Sequence, residues 1–331
     1  MKQKEIVGID FSKDKFDVFC KVKAVHAVFS NNADGFKKFK KWLQKVLGGE
    51  TEDAFIVMEH TGIYTYLFEQ YLYKEKLSFT KKPGYAIKHS VGIVRGKSDK
   101  VDARRIAVYG WEKRDELIAL MPDSETSVRL KQLLSLRDKL VTDRAGYKGR
   151  MPEQQQFLNL KSNDEMLKIQ KAIMKAFDKQ IAKTEAEIAR TIATDNAAAN
   201  SYKLLKSITG VGPVIAWYML AYTDNFKKFA TARQFACYVG IAPFGYDSGT
   251  SVKGRTEVSH FANKKLKSLL NQGALSASSF DPELKSYYER RVASGKNKMS
   301  VLNVVRNKLV YRMFAVIKRH SPFEAEWKDA A

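Results

Sequence analysis

A long segment without glycine most constrains how this chain can fold. No glycine occurs between residues 150 and 209, and apolar residues recur at helical spacing among many charges from 123 to 195. The pattern predicts two long helices, with the break between them at Pro152, shortly after Gly149. Neither helix can bury its apolar stripe alone. We therefore expect an antiparallel hairpin or coiled coil that packs on itself or on a second copy of the chain.

The region before these helices has a different pattern. Apolar and alternating runs predict strands at residues 4–10, 14–22, 23–31 and 53–59. Helical spacing then appears between strands, first over residues 35–47. Strands followed by alternating strands and helices predict an α/β layer with a mixed sheet. The predicted domains are residues 1–122, a helical dimerisation arm at 123–199, and a mainly helical region at 200–331.

The charge of the chain predicts a polyanionic partner. Its 331 residues carry a formal net charge of +22. Residues 201–331 alone contain 21 Lys and Arg against nine Asp and Glu, a net of +12. Such an excess favours nucleic acid over an anionic membrane as the partner. The alternative is that the lysines only keep the surface soluble.

Membrane and disulfide classes are disfavoured by the sequence. There is no run of 18 apolar residues, and the N-terminus lacks a signal-peptide core. Cys20 and Cys237 lie far apart and have no metal-ligand spacing around them. We therefore expect a cytoplasmic protein without a membrane partner, a disulfide scaffold or a zinc finger.

Four carboxylates stand where they can form one site. Asp10 and Glu59 each end a predicted strand, so neighbouring strands would bring both to the same sheet edge. Asp99 and Asp102 lie three residues apart at the start of a predicted helix and share one face of it. Four converging carboxylates repel one another without a hard divalent cation, and oxygen ligands are what Mg²⁺ selects. A single strand-end Asp is more often a turn or cap residue, so the prediction depends on the set.

The stretches GIDFSKDKFDV, VMEHTGIY and KSDKVDARRIA resemble the three acidic blocks of the DEDD transposases. These proteins have a RuvC-like, RNase H-type domain, and they include the insertion-sequence one-ten family and the related Piv-type DNA invertases. The resemblance places their acids on Asp10, Glu59, Asp99 and Asp102. It implies an α/β RNase H-like N-terminal domain, a long helical coiled-coil spacer and a mainly α C-terminal transposase domain. It also implies a Mg²⁺-dependent DNA recombinase.

A glycine turn in the last third, LLKSITGVGPVIAWYML, resembles the helix-hairpin-helix-like segment of the same family. Gly210 and Gly212 allow a tight turn and bring backbone amides close to a phosphate, and the helix that begins at Pro213 favours an anion at its N-terminus. A glycine turn between two core helices explains the motif equally well.

A serine-containing stretch, GIAPFGYDSGTSVKGR, is the second catalytic block of the resemblance. In the family a serine attacks DNA and becomes covalently joined to it, and the resemblance places that serine on Ser248. Lys253 and Arg255 can neutralise phosphodiester oxygens beside it. Taken alone, the stretch is a surface turn built from Asp, Ser and Gly. Ser251 is the second candidate for the nucleophile.

The resemblance implies a transposase guided by a structured bridge RNA that pairs with target and donor DNA. The protein would act as a homo-oligomer, a dimer or a tetramer on DNA. The residues predicted to bind nucleic acid are Gly210, Gly212, Lys253, Arg255, Lys264, Lys265, Arg104 and Arg105. Two alternatives stay open. One is a metal-dependent nuclease of the Holliday-junction type that uses water, and the other is a non-catalytic nucleic-acid-binding protein.

Overall fold

A computed structural model describes most of the chain, as two compact units: residues 1–122 and residues 123–331. The described residues are 5–60, 62–90, 98–245, 247–248, 252–253, 257–259 and 261–324, with only the backbone at 247, 248, 252, 253 and 257. The predicted helical arm, residues 123–199, belongs to the second unit. No helix within the described ranges is long and apolar enough to cross a bilayer.

A five-stranded mixed sheet forms the centre of the first unit. Its strands are β1 (Glu5–Phe11), β2 (Lys15–Cys20), β3 (Val25–Ser30), β4 (Ala54–Glu59) and β5 (Ser78–Lys82). The order across the sheet is β3-β2-β1-β4-β5. β2 is antiparallel to both β1 and β3, whereas the β1–β4 and β4–β5 pairs are parallel. This sheet is consistent with the expected RNase H-like domain.

Helices cover both faces of the sheet. They are α1 (Ala33–Leu47), α2 (Tyr66–Lys74), α3 (Gly84–Ser90) and α4 (Asp99–Glu112), with 3₁₀ turns at Gly62–Thr65 and Arg114–Glu116. Because side chains alternate along a strand, Val7, Ile9 and Phe11 face the core that includes side chains of α1 and α2. Ile6 faces the opposite core, which contains Ile106 of α4.

The backbone of α4 lies directly on β1, and Gly8 permits this contact. A Cβ atom at Gly8 would stand 2.3 Å from the carbonyl oxygen of Ala103 and 2.3 Å from the amide nitrogen of Ala107. Gly8 is two residues before Asp10, so both residues belong to the face that α4 covers. The first turn of α4, one turn before Ala103, is thereby held at the end of β1 that carries Asp10.

The second unit consists mainly of helices. These are α5 (Glu125–Phe157), α6 (Glu165–Ala193), α7 (Asn196–Lys206), α8 (Pro213–Thr223), α9 (Ala232–Val239), α10 (Lys264–Phe280), α11 (Pro282–Ala293) and α12 (Lys298–Arg319). Its short strands are β6 (Pro243–Phe244), β7 (Asp247–Ser248), β8 (Val252–Lys253) and β9 (Glu257–Val258). β6 pairs with β9 and β7 with β8, both antiparallel.

Helices α5 and α6 form an antiparallel hairpin. Arg137 of α5 contacts Glu185 of α6 at 2.7 Å, and Arg144 contacts Asp178 at 2.5 Å. As the residue number on α5 increases, the number of its partner on α6 decreases, so the two helices are antiparallel. The amino-terminal half of α5 also packs into the core of the second unit through Leu130 and neighbouring leucines.

The prediction that Pro152 separates the two long helices is wrong. α5 continues through Pro152 to Phe157. Proline removes one donor and displaces the carbonyl four residues earlier, which is Lys148. The residues around this turn are largely exposed, so water can satisfy the released carbonyl group. The helix ends instead just before Asn159, which takes a left-handed φ of 51°.

We expect a methyl group at Gly8 to destabilise the first unit. In Gly8→Ala the new Cβ collides with the backbone of α4, and overpacking of this kind costs about 1–3 kcal/mol. Urea unfolding measures the loss. Gly146→Ala is the control, because Gly146 lies on the exposed face of α5 with no atom within 4 Å of its added Cβ. The free energy of unfolding of that variant should exceed that of the wild type by up to about 1 kcal/mol. A Gly8→Ala protein as stable as the wild type would contradict the proposed packing.

Candidate active site

The structure brings Asp10 and Glu59 to one edge of the sheet. β1 and β4 are parallel neighbours, and Ile9 pairs with Met58, so the next residues, Asp10 and Glu59, are level with each other. On the other side of β1, Asp10 pairs directly with Asp17 of β2. Three carboxylates on adjacent strands therefore stand side by side at this edge.

The first turn of α4 contributes two more carboxylates, Asp99 and Asp102. The Ser98 hydroxyl caps the helix by accepting a hydrogen bond from the Val101 amide at 3.3 Å. Acidic side chains are favoured in the first turn because the amino-terminal end of a helix carries partial positive charge. This local preference and the contact at Gly8 together place both acids over the sheet edge.

The acids of this edge influence one another electrostatically. The pKa of Asp10 is raised to about 6, first by burial of the carboxyl group and then by neighbouring negative charges. These charges belong, in order of effect, to Asp102, Glu59, Asp99 and Asp17. Three separate parts of the sequence, β2, β4 and the first turn of α4, thus contribute negative charge around Asp10.

Two basic side chains neutralise part of this charge. Lys15, in the first position of β2, contacts Asp99 at 2.8 Å and Asp17 at 3.4 Å. Arg105 contacts Asp102, one helical turn earlier, at 2.7 Å. No ion pair between Asp10 and a basic side chain is found among the described residues. Asp10 therefore keeps an excess of negative charge around it.

Glu59 fits against the start of α3. A Cβ atom on Gly84 would lie 2.1 Å from Oε1 of Glu59. A larger residue at this position would push the carboxylate away, so Gly84 positions Glu59. The amide of the next residue, His60, donates to the carbonyl oxygen of Lys82 and fixes the end of β4.

The donor chemistry of this edge fits a hard divalent cation. All four predicted ligands are carboxylates, and the pKa of Asp10 is raised, first by burial and then by the neighbouring acids, so its ionised form is disfavoured. As the side chains stand, no three carboxylate, imidazole or thiol groups in the described ranges converge on one point. Asp99 and Asp102 instead contact Lys15 and Arg105. Cation binding would require these two carboxylates to exchange partners.

The serine segment of the second unit is anchored at its base. The carbonyl oxygen of Ile241 accepts hydrogen bonds from the side-chain amides of Asn303, at 2.9 Å, and Asn307, at 3.0 Å, both on α12. Arg233 donates to the carbonyl oxygen of Pro243 at 3.0 Å. The β6–β9 pair then joins the two ends of the segment. The backbone that enters and leaves the serine stretch is thus fixed to the helical core.

The backbone of Ser248 lies in the β7–β8 pair, opposite Val252. Lys253 lies on the partner strand, opposite Asp247. Ser251 and Arg255 lie outside the described residues. A short antiparallel pair is a more regular setting than the surface turn that composition alone suggests.

The other residues predicted to bind nucleic acid occupy varied settings. Arg104 is exposed on α4, with its guanidinium 5.9 Å from the centre of the Phe19 ring. Lys264 is exposed at the start of α10. Lys265 contacts Asp138 of α5 at 2.8 Å and lies over the ring of Tyr218. Lys265 therefore also links two helices of the second unit.

The structure accounts for the glycine at position 210 and the glycine at position 212 in different ways. Gly210 takes a φ of +91°, and a Cβ there would stand 2.6 Å from the carbonyl oxygen of Gly273 in α10. Its conformation and packing therefore explain it without a ligand. Gly212 precedes α8 without a side-chain cap and has open space around it, at a cleft of about 480 Å³. The free amides at this helix start suit an anion.

Sequence reasoning missed Asp17 and Lys15. Both lie on β2, and their relevance follows from the hairpin register that pairs Asp10 with Asp17. A turn centred near residues 13 and 14 would have suggested this pairing. The contact between Lys15 and Asp99 crosses from a strand to a distant helix, and no local pattern indicates it.

The first unit thus combines an RNase H-like sheet with an acidic edge, as in nucleases and recombinases that act on phosphodiesters. A family model for DEDD transposases of the IS110 type matches residues 7–157, and the model "Transposase IS116/IS110/IS902 family" matches residues 202–289. Together they match well over half of the chain. The chain belongs to the IS110 family of DEDD transposases, the insertion-sequence one-ten family that the sequence resembles. Membership makes it a DNA recombinase at the level of the family, with DNA as partner, and DEDD transposases generally depend on a divalent metal.

Curated relatives agree with this assignment. A pilin gene-inverting protein of Moraxella bovis is 26% identical over 330 residues, which cover 97% of this chain and 98% of the relative. The protein of the same name from Moraxella lacunata is also 26% identical over 330 residues, with the same coverage. An uncharacterized protein of insertion element IS110 from Streptomyces coelicolor is 30% identical over 122 residues, 37% of this chain and 30% of that protein.

Neutralising Asp10 is expected to stabilise the metal-free fold at neutral pH. Because the pKa of this acid is higher in the folded state, its ionisation opposes folding. The cost is absent only well below the ordinary pKa of 3.8, where Asp10 is protonated in both states, and it reaches its full size above the folded-state pKa of about 6. We expect Asp10→Asn to be more stable than the wild type by about 1 kcal/mol at pH 7, allowing for solvent screening, and by much less at pH 4.

Thermal unfolding at both pH values measures this effect. Asp14→Asn is the matched control, because Asp14 is an exposed acid in the hairpin loop beside the same sheet edge. The melting temperature of Asp14→Asn should differ little from that of the wild type at either pH. Equal gains for Asp10→Asn at pH 4 and pH 7 would show that ionisation of Asp10 is not the cause.

Proposed function

We propose that this protein is a transposase that cuts and rejoins DNA through the acidic sheet edge and Ser248. The main support is the gathering of negative charge from Glu59, Asp99 and Asp102 around Asp10. The chain as a whole has a net charge of +22, so an acidic site within it is unusual. Such a site fits a place where a cation and a phosphate bind together. The excess of basic residues elsewhere suits the backbone of DNA.

Mg²⁺ is the proposed cofactor, and Asp10, Glu59, Asp99 and Asp102 are its proposed ligands. When bound, a divalent ion neutralises charge on phosphate oxygens and lowers the pKa of a nearby hydroxyl group. The carboxylates hold and orient it. Lys15 contacts Asp99 and limits repulsion at the edge.

Ser248 is the proposed nucleophile. Its oxygen attacks the phosphorus of a scissile phosphodiester, a P–O bond to serine forms, and the bond to the 3′ oxygen breaks. The serine proton leaves to a base, and the departing 3′ oxygen gains a proton. DNA is then joined to the protein through a 5′-phosphoserine. Attack by a 3′-hydroxyl of the exchanged strand reverses these steps and restores the serine. Lys253 and Arg255 are placed in sequence to neutralise the phosphate oxygens.

We further propose that a bridge RNA selects the DNA sites by base pairing, and that the active form is a homo-oligomer. The support for RNA is indirect. The chain carries strong positive charge in its last third, enough for more than one polyanion, and such binding weakens steeply with salt. The support for an oligomer is the long α5–α6 hairpin, which exposes apolar side chains including Leu136, Phe157 and Ile169.

A covalent protein–DNA adduct is the expected product of the first step. Denaturing the reaction with end-labelled DNA, guide RNA and Mg²⁺ should leave label on the protein. Ser248→Ala should remove the adduct and lower cleavage at least a hundredfold, whereas Ser251→Ala should keep both. Chelating the metal should also abolish the adduct. Cleavage without any adduct would instead identify the water-dependent nuclease.

Mixing two inactive variants tests how the acids and the serine cooperate. Asp10→Ala and Ser248→Ala are each expected to be inactive alone. Recovered cleavage in the mixture would show that different chains can supply the two groups. If DNA binding and recombination both survive Asp99→Ala, the acids have no catalytic role, and the non-catalytic alternative is favoured.

RNA that co-purifies with the protein tests guidance. We expect a discrete species whose sequence matches the flank of the gene that encodes the protein. Its removal by ribonuclease should abolish site-specific recombination and leave salt-dependent, sequence-independent DNA binding intact. Recombination at full rate after complete RNA removal would rule out RNA guidance.

A further inference from the structure

The second unit contains a buried arginine without a partner. Arg306, in the middle of α12, is 7% exposed. Its Nε is buried without an acceptor, and no hydrogen bond, ion pair or ring contact of its guanidinium is found within the described chain. Burying an unpaired charge is expensive, so native proteins almost always pair buried arginines.

A second arginine on the same helix shows the usual solution. The side chain of Arg312 is 11% exposed and contacts Asp281 at 2.7 Å and also Glu283. Its guanidinium lies 4.4 Å from the centre of the Phe323 ring. The two arginines have the same chemistry and similar burial, and they differ in whether the protein supplies an anion.

The helix opposite Arg306 adds another positive charge instead of a carboxylate. α10 and α12 run in the same direction: Gly273 of α10 approaches Leu309, and Asp281, at the end of α10, contacts Arg312. Arg306 lies one helical turn before Leu309, so it is level with the first half of α10, which carries Lys267. The pKa of Lys267 is lowered by burial and by the charge of Arg306, which agrees with this register. Lys267 is partly exposed.

These two cations lie beside the base of the serine segment. Asn303 and Asn307, on the adjoining side of α12, hold the carbonyl oxygen of Ile241, seven residues before Ser248. One turn after Lys267, the buried Oδ1 of Asn271 lacks a hydrogen bond. Arg306 and Asn271 thus each leave a buried polar atom unsatisfied, on two helices that pack against each other.

We propose that Arg306 and Lys267 form a binding site for a backbone phosphate of the DNA strand that enters the serine segment. The phosphate supplies the anion that the protein omits, with Lys267 reaching it from the surface and Arg306 from the interior. Arg306 can bind two phosphate oxygens at once through its planar fork. The choice of DNA as ligand depends on the function proposed above for Ser248.

The test compares Arg306→Met with Arg312→Met in the full chain. Methionine fills a similar volume without charge. Arg306→Met should raise the melting temperature in chloride buffer, because an unpaired buried charge is removed. Arg312→Met should lower it, because the buried Asp281 loses its ion-pair partner and Glu283 keeps only Lys308. Arg306→Lys, which keeps the charge, checks that any loss of binding follows the charge.

DNA binding provides the decisive measurement. For a short DNA duplex, Arg306→Met should weaken binding about tenfold and reduce the slope of log affinity against log salt by about one. Arg312→Met should leave that slope unchanged. Unchanged affinity and slope in Arg306→Met would overturn the proposal. A loss seen with an RNA duplex but not with DNA would overturn it as well.

Inorganic phosphate separates this proposal from the catalytic one. At matched ionic strength, phosphate should raise the melting temperature of the wild type, Arg312→Met and Ser248→Ala above its value in chloride, but not that of Arg306→Met. If Ser248→Ala keeps the covalent adduct while the phosphate effect depends on Arg306, the serine chemistry fails and the site stands. If the adduct requires Ser248 but phosphate stabilises Arg306→Met equally, the phosphate site fails alone.

Discussion

The acidic edge depends on one close contact between backbones, that of α4 with β1 at Gly8. Helix and sheet cores usually stay separated by side chains, but here a Cβ atom would stand 2.3 Å from atoms of the helix backbone. The apolar side chains that bury this interface, such as Ile6 and Ile106, supply the free energy that holds like charges together. Repulsion around Asp10 is thus offset by packing a few residues away.

The first unit has negative charge that is not fully compensated, and the second has a buried positive charge that is not compensated. The first gathers carboxylates around Asp10, with Lys15 and Arg105 among the counter-charges, and the second buries Arg306 without an anion among the described residues. Each arrangement costs stability in the free protein, and each is relieved by a different part of one ligand system. A metal ion would satisfy the acids, and the proposed phosphate would satisfy the arginine. Nucleic acid bound with a divalent cation supplies both. This links a basic chain to an acidic site without requiring the two features to serve separate functions.

Local patterns in the sequence predicted much of the first unit. The strands that end near Asp10 and Glu59 follow from apolar runs, and their parallel pairing makes the shared edge a geometric consequence. Features that depend on distant segments were not predictable in this way. The contact at Gly8 needs the position of a helix about a hundred residues later. Pro152 was misjudged because solvent exposure, which decides whether a proline can be tolerated inside a helix, is not visible in local spacing. Chemistry at Ser248 came from family resemblance alone.

Arg306 illustrates why a charge that looks ordinary in sequence can be informative in structure. Along α12, Arg306 and Arg312 stand six residues apart in similar apolar surroundings, and nothing in the local sequence separates them. The difference lies on other elements: Asp281 and Glu283 of α11 and its cap approach Arg312, whereas α10 offers Lys267 to Arg306. A structural arginine would gain stability from a carboxylate, and replacement by an apolar side chain would be better than leaving it unpaired. Retaining it with a second cation close by makes sense where the free protein is not the functional state. The missing anion must then arrive with the substrate, and the stability lost in the free protein becomes affinity for the bound strand.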